Sequence, residues 1–167
     1  MKTGKSLQPG WLVGIAILLS FCSTNKTVQK DTSLFEDSNH ELLIYIQQGT
    51  CLGKCPNYEA WFYTGKKMVY EGKANMPLIG KYEFLLSEEL TKNLIFEAVK
   101  MNVKLVPDSL STPPNKPVTR IWVVINGKLK KMVGWTESGN ETFKKFTKLV
   151  SGEVRAMITE QEGKKTE

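Results

Sequence analysis

The chain reads as an α+β domain, an antiparallel sheet of about six strands with two helices packed on one face, in the order ββββ-α-ββ-α. Three observations carry that expectation. Before Ser87 apolar and polar residues alternate with a period of two in short blocks. After Ser87 and again after Asn140, apolar residues recur at the three- and four-residue spacing of a helix with one buried face. Between those helical stretches, Asn126-Gly127 separates two alternating segments, the sequence signature of a tight hairpin.

The first strand is marked by Leu42, Ile44 and Ile46 on one side and Leu43, Tyr45 and Gln47 on the other, the pattern of a half-buried strand. Tyr58 to Thr64 and Met68 to Gly72 follow as the second and third, joined through Gly65-Lys66-Lys67, and Lys81 to Leu86 makes a fourth. Ser87 then caps a helix, with Glu88 and Glu89 placed where the helix dipole favours anions and Leu90, Leu94, Ala98 and Met101 along one face. Thr119 to Ile125 and Leu129 to Trp135 flank Asn126-Gly127, two residues that tolerate the positive φ of a type I′ turn. Asn140 opens the closing helix, whose stripe is Phe143, Phe146, Val150, Val154 and Met157.

Composition divides the 167-residue chain around this block. The domain is expected over residues 41–160, about 120 residues, enough for one core but not two. Residues 23–40 are polar, with Val28, Leu34 and Phe35 as the sizeable apolar side chains; such a tether has a reach of roughly 25 Å. Pro107 to Pro117 contains four prolines, which deny it both helix and central strand and leave an exposed loop. Residues 161–167 are charged and read as a disordered tail.

The N-terminus carries a different signal. Lys2 and Lys5 precede an apolar run from Trp11 to Leu19, bounded by Pro9-Gly10 and Ser20. It is shorter than the roughly 20 residues that span a bilayer and fits the core of an export signal. Leu19-Ser20-Phe21-Cys22 resembles the lipobox of bacterial lipoproteins, with Phe21 where that pattern has a small residue. The resemblance implies that residues 1–21 are removed as a signal peptide and that Cys22 is acylated and becomes the new N-terminus. Residues 22–40 then tether the domain to the cell envelope, with the outer membrane the expected location and the lipid anchor the membrane contact. Removal of Lys2 and Lys5 with no acid lowers the formal charge from +6 to +4. That scattered basicity, behind an export signal, argues against nucleic acid as a partner.

With Cys22 given to lipid, Cys51 and Cys55 remain as a pair in an oxidising compartment. Their loop is Cys51-Leu52-Gly53-Lys54-Cys55-Pro56-Asn57-Tyr58, and after a glycine hairpin comes Val69-Tyr70-Glu71-Gly72. Together these resemble a bacterial domain family of unknown function found mostly on secreted and lipid-anchored proteins. The matching positions are Cys51, Gly53, Cys55, Pro56, Tyr58, Gly65, Val69, Tyr70 and Gly72, with Gly80 and Tyr82 as weaker echoes. They cover the N-terminal half, and Thr64-Gly65 stands where the family usually has Asp-Gly. The resemblance implies an envelope domain and supplies no activity.

Three readings of the cysteine pair stay open. A structural disulfide needs Cα atoms within about 7 Å, which a loop turning at Gly53 can reach, and so short a closure gives about 2 kcal/mol. A thiol–disulfide redox protein is the alternative, although the gap of three residues departs from the two of thioredoxin-like motifs and the pair follows a strand. A metal site would need ligands beyond two thiolates, and the single histidine, His40, lies in the tether.

One histidine in a linker leaves no Ser/His/Asp or Cys/His arrangement. Carboxylate pairs exist in Glu88 with Glu89 and, if their strands pair, Glu59 with Glu71, but neither has an apolar pocket signature. The chain therefore reads as a non-enzyme with no cofactor and no metal. Lys128, Lys130 and Lys131 read as a solvated strand face that can touch anionic lipid. The strand aromatics Tyr45, Trp61, Tyr63 and Tyr70 fall out of phase with Leu42, Ile44 and Ile46. If both helices cover one side of the sheet, these rings lie on the other. There they form either a second minicore or a surface for an envelope protein or glycan partner.

Overall fold

The computed structural model describes residues 41–164. The expected signal segment 1–21, Cys22, the whole tether 22–40 with His40, and the tail end 165–167 lie outside the described residues. Six strands, β1 (Leu42–Gln48), β2 (Asn57–Tyr63), β3 (Lys67–Ala74), β4 (Gly80–Leu85), β5 (Thr119–Ile125) and β6 (Lys128–Gly134), form one sheet. Its order is β4-β3-β2-β1-β5-β6, and every neighbouring pair is antiparallel. Helix α1 (Glu88–Lys100) follows β4 and helix α2 (Glu141–Gly163) follows β6. The expected order ββββ-α-ββ-α and the α+β class are therefore those of the protein.

Local chemistry sets the element ends. Ser87 Oγ accepts from the Leu90 amide at 3.1 Å, and Asn140 Oδ1 from the Phe143 amide at 2.8 Å. Each side chain thus satisfies one of the amides that a helix start leaves without a partner. Asn126 and Gly127 have φ of 51° and 70° between β5 and β6, as a type I′ turn requires. The β2–β3 connection is one residue longer, since Tyr63 pairs with Lys67, and it too holds two successive residues at positive φ, Gly65 at 80° and Lys66 at 66°.

The core lies between one face of the sheet and both helices. Ile44, Ile46, Ala60, Phe62, Met68, Ile121, Val123 and Met132 meet Leu94 and Ala98 of α1 and Phe143, Phe146, Val150, Val154 and Ile158 of α2. Each buried valine, leucine, isoleucine, phenylalanine or methionine among them contributes about 1.5–3 kcal/mol relative to exposure. The α2 stripe ends on Ile158, with Met157 half-buried beside it. The helix also continues beyond residue 160 to Gly163, its last turn held by a Lys164–Glu160 ion pair of 2.7 Å.

Two features of the sheet depart from strict alternation. A bulge lies between Leu42 and Ile44, because Leu42 pairs with Tyr63 while Ile44 pairs with Phe62. The extra residue shifts the phase of the strand start, so Leu43, in place of the expected Leu42, packs against the core. The proline-rich segment, in turn, returns to the sheet. Val133 donates its amide to the Asp108 carbonyl and accepts from the Leu110 amide, both at 2.8 Å. Lys130 pairs with Asp108 at 2.5 Å.

Candidate binding surface

Among the described residues, no helix or strand covers the second face of the sheet. Register brings its side chains into rows. Tyr45 of β1 lies opposite Trp61 of β2 on one side and Trp122 of β5 on the other. Val69 continues the row beyond Trp61, and Lys131 beyond Trp122. The Tyr45 ring centroid is 5.5 Å from that of Trp61 and 4.6 Å from that of Trp122, each pair tilted by 44°. Lys131 Nζ stands 4.6 Å from the Trp122 centroid, within cation–π range. Tyr45, wedged between two indoles, is 6% exposed, while both tryptophans are half-buried.

A polar row runs beside the aromatic one, through Glu71, Glu59, Gln47 and Arg120. Glu59 is its hub. It accepts from the Tyr45 hydroxyl at 2.9 Å, from Gln47 Nε2 at 3.1 Å and from the Lys73 ammonium. Gln47 Oε1 accepts in turn from Arg120 at 2.7 Å. Partial burial raises the Glu59 pKa, but hydrogen bonds from Lys73 and Tyr45, the Lys73 charge and the Gln47 amide together hold it below the usual carboxylate value. Burial, reinforced by the Glu59 bond and charge, moves the Tyr45 phenol upward, so its proton stays on the oxygen and points at Glu59. The carboxylate thereby orders an aromatic, an amide and a cation at once.

Of the aromatics singled out by phase, Tyr45 and Trp61 share this row. Tyr63 lies on the same face, half-buried, opposite Lys67, and burial raises its phenol pKa against the lowering charge of Lys67. Tyr70 does not belong with them. The β2–β3 register sets it opposite Ala60 on the helix face and sets Val69 opposite Trp61. Tyr70 is fully buried, with its hydroxyl donating to the Leu78 carbonyl at 3.0 Å and its ring among those of Tyr58, Tyr82 and Phe84. Phase counted from β1 cannot be carried through a turn, because only the turn geometry fixes which face follows.

The strand lysines divide too. Lys128 and Lys130 lie opposite the core residues Ile125 and Val123, on the helix-side face, whereas Lys131 lies opposite Trp122. They do not form one strand face. Glu59 and Glu71 are paired across β2 and β3, with Glu59 committed to its three donors. At the end of the sheet, Cys51 and Cys55 are joined as a disulfide with Cα atoms 5.7 Å apart. Asn75 Nδ2 ties the loop to the β3–β4 connection by donating to the Cys55 carbonyl at 3.0 Å.

A family model described as a domain of unknown function (DUF6438) matches residues 42–153. The chain belongs to the DUF6438 family. The match begins with β1 and ends within α2, so all six strands and α1 lie inside the DUF6438 domain. No curated protein matches the chain. Four residues of the surface escaped the reading by phase, namely Glu59, Arg120, Trp122 and Lys131 of the DUF6438 domain. Trp122 was legible, since it alternates with Ile121 and Val123 in the same way that Tyr45 alternates with Ile44 and Ile46. Glu59 and Lys131 carried no such signal, because their roles depend on cross-strand neighbours.

Proposed function

We propose that the chain is a lipid-anchored protein of the cell envelope, acylated at Cys22 and held at the outer membrane. Its DUF6438 domain serves as a non-catalytic module that binds a glycan partner on the second face of the sheet. The observation that carries the reading is the row Trp61–Tyr45–Trp122 beside the row Glu59–Gln47–Arg120. Aromatic rings offer large contact area at low entropy cost. Sugars present apolar ring faces to stack on indoles and hydroxyls to bond with carboxylate, amide and guanidinium groups. The two tryptophans flank β1, so they lie about 10 Å apart, two strand spacings, far enough to engage separate units of one chain. A thiol–disulfide role has less support, since Cys51 and Cys55 lie in a strand–strand connection without the helix N-terminus that lowers a thiol pKa.

Sedimentation with insoluble cell-wall glycan tests the binding. The parent protein should co-sediment, and Trp61→Ala and Trp122→Ala should abolish this while shifting the thermal midpoint little. A parent that stays in solution removes the glycan reading; a parent captured only by envelope protein redirects it. If Trp61→Ala instead costs roughly 3–5 kcal/mol of stability, the rings are packing and not a binding surface. Anchoring is tested by intact mass: the membrane-bound protein should begin at an acylated Cys22, and Cys22→Ala should leave unprocessed precursor.

A further inference from the structure

We propose that the cleft between the Cys51–Cys55 loop and the C-terminal half of α2 binds a carboxylate borne on a short apolar group. The cleft encloses about 240 Å³ at the end of the sheet where β1 stops and β2 begins. Gln48 and Pro56 bound it on the sheet side, Asn75 to Pro77 on the side of the β3–β4 connection, and Arg155 and Ile158 on the side of α2. Tyr58 lines it from the core.

Two polar groups there have unused bonding capacity. The Tyr58 hydroxyl is buried without a hydrogen-bond partner, and the whole residue is 2% exposed. Burial keeps its proton on the oxygen even though the Arg155 charge nearby favours the anion. It is a donor lacking an acceptor. Arg155 pairs with no carboxylate among the described residues; its hydrogen bonds go to the Ser151 carbonyl and hydroxyl, both long at 3.4 Å. A guanidinium has five N–H donors and fits a carboxylate in a fork. Both groups thus call for an anionic acceptor, while Met76, Pro77 and Ile158 supply apolar wall.

Size narrows the class. At about 240 Å³ the cleft is below the range of roughly 300–1,000 Å³ for drug-sized ligands. The occupant is therefore a short-chain organic acid or the last residues of a peptide ending in a free carboxylate. The walls are set before binding, because the disulfide closes the loop and Asn75 fastens it to the β3–β4 connection, which lowers the ordering cost of association. Pro56 and Tyr58, two positions of the Cys-x-Gly-x-Cys-Pro-x-Tyr motif, thereby acquire a role at this site. Tyr58 belongs to the helix-side core, so the cleft stands or falls independently of the aromatic surface.

Titration of the full chain in detergent decides it, followed through the backbone amide NMR shifts of Gln48, Asn75 and Thr159. The probes are acetyl-dialanine as the free acid, its C-terminal amide, and butyrate. Acetyl-dialanine, with about fourteen non-hydrogen atoms, should bind at roughly millimolar concentration. The acid should bind at least tenfold more tightly than the amide. Arg155→Gln should weaken it at least tenfold, and Tyr58→Phe severalfold. Arg155→Lys, which keeps the charge and loses the fork, should fall between parent and Arg155→Gln. Tighter binding of acetyl-dialanine than of butyrate assigns the site to peptide C-termini, and equal binding assigns it to small acids. The proposal is overturned if no acid moves these amides at tenfold higher concentration, if the amide binds as well as the acid, or if Arg155→Gln binds like the parent. Arg155 is exposed and the Tyr58 hydroxyl has no partner to lose, so both variants should remain folded.

Discussion

Gly72 and Tyr70 form a single lock on the β3–β4 connection, and replacing the glycine by alanine should open it. The φ of Gly72 is not in the left-handed region, so its need for glycine is one of space. A Cβ built there would stand 1.9 Å from the Leu78 carbonyl oxygen and 2.5 Å from the Tyr70 hydroxyl. The first contact is with backbone, which cannot rotate aside. The connection must therefore retreat by about 1 Å or more, straining a packed region at about 1–3 kcal/mol. The retreat also breaks the 3.0 Å bond from Tyr70 to Leu78, and a buried group left unpaired costs a further 1–3 kcal/mol or so. Gly72→Ala should thus lose about 2–6 kcal/mol in urea unfolding followed by tryptophan fluorescence. Tyr70→Phe, which removes the bond without crowding, should lose about 1–3 kcal/mol. Since the glycine substitution already breaks that bond, the double variant should lose clearly less than the sum of the two. A Gly72→Ala protein within about 0.5 kcal/mol of the parent, or strict additivity in the double variant, would refute the lock.

Further expectations follow from single groups. Tyr58→Phe removes a buried hydroxyl without a partner, so the unfolding free energy from urea titration should stay level or rise, by up to about 1 kcal/mol; a clear loss would mean that the hydroxyl is bonded. Glu59 is held below its ordinary value of 4.5 when folded. Its stabilisation is therefore complete above that value and lost as pH falls through the lower folded pKa. Unfolding midpoints between roughly pH 5 and pH 3 should drop less in Glu59→Gln than in the parent; parallel profiles would contradict the hub. Replacing Cys51 and Cys55 by serine should cost about 2 kcal/mol without loss of fold, and alkylation before reduction should leave both cysteines unlabelled in the parent.

The element order was legible because each strand alternates on its own and each helix carries its own cap and stripe. Ser87 and Asn140 start the helices as their side-chain chemistry indicates, and Asn126-Gly127 turns the second hairpin. The candidate surface was legible only within a strand. Tyr45 could be placed opposite its neighbours Ile44 and Ile46, but the face of Tyr70 depends on the three-residue connection Thr64-Gly65-Lys66, where one residue more or less would reverse it. The bulge at Leu43 escaped because Leu42 and Leu43 are both apolar, so either could have faced the core. Tyr58 and Arg155 lie beyond any local pattern, on a strand and a distant helix that only packing brings together.

The two borders of the sheet are finished differently, and this limits how copies of the domain can join. At β6 the proline-rich segment holds both backbone groups of Val133, and the remainder of the strand begins Lys128-Leu129-Lys130-Lys131, a run whose charge resists a neighbouring strand. At β4 no further strand among the described residues pairs along the outer border, and Leu85 is 92% exposed. A sheet that grows into a filament needs two compatible borders, one to offer and one to receive. With β6 covered at Val133 and charged along the rest, strand addition is favoured at β4, and two copies meeting there edge to edge are related by a two-fold axis that uses both of these borders. Growth through β4 alone would then end at a pair, because each copy spends that border on the other.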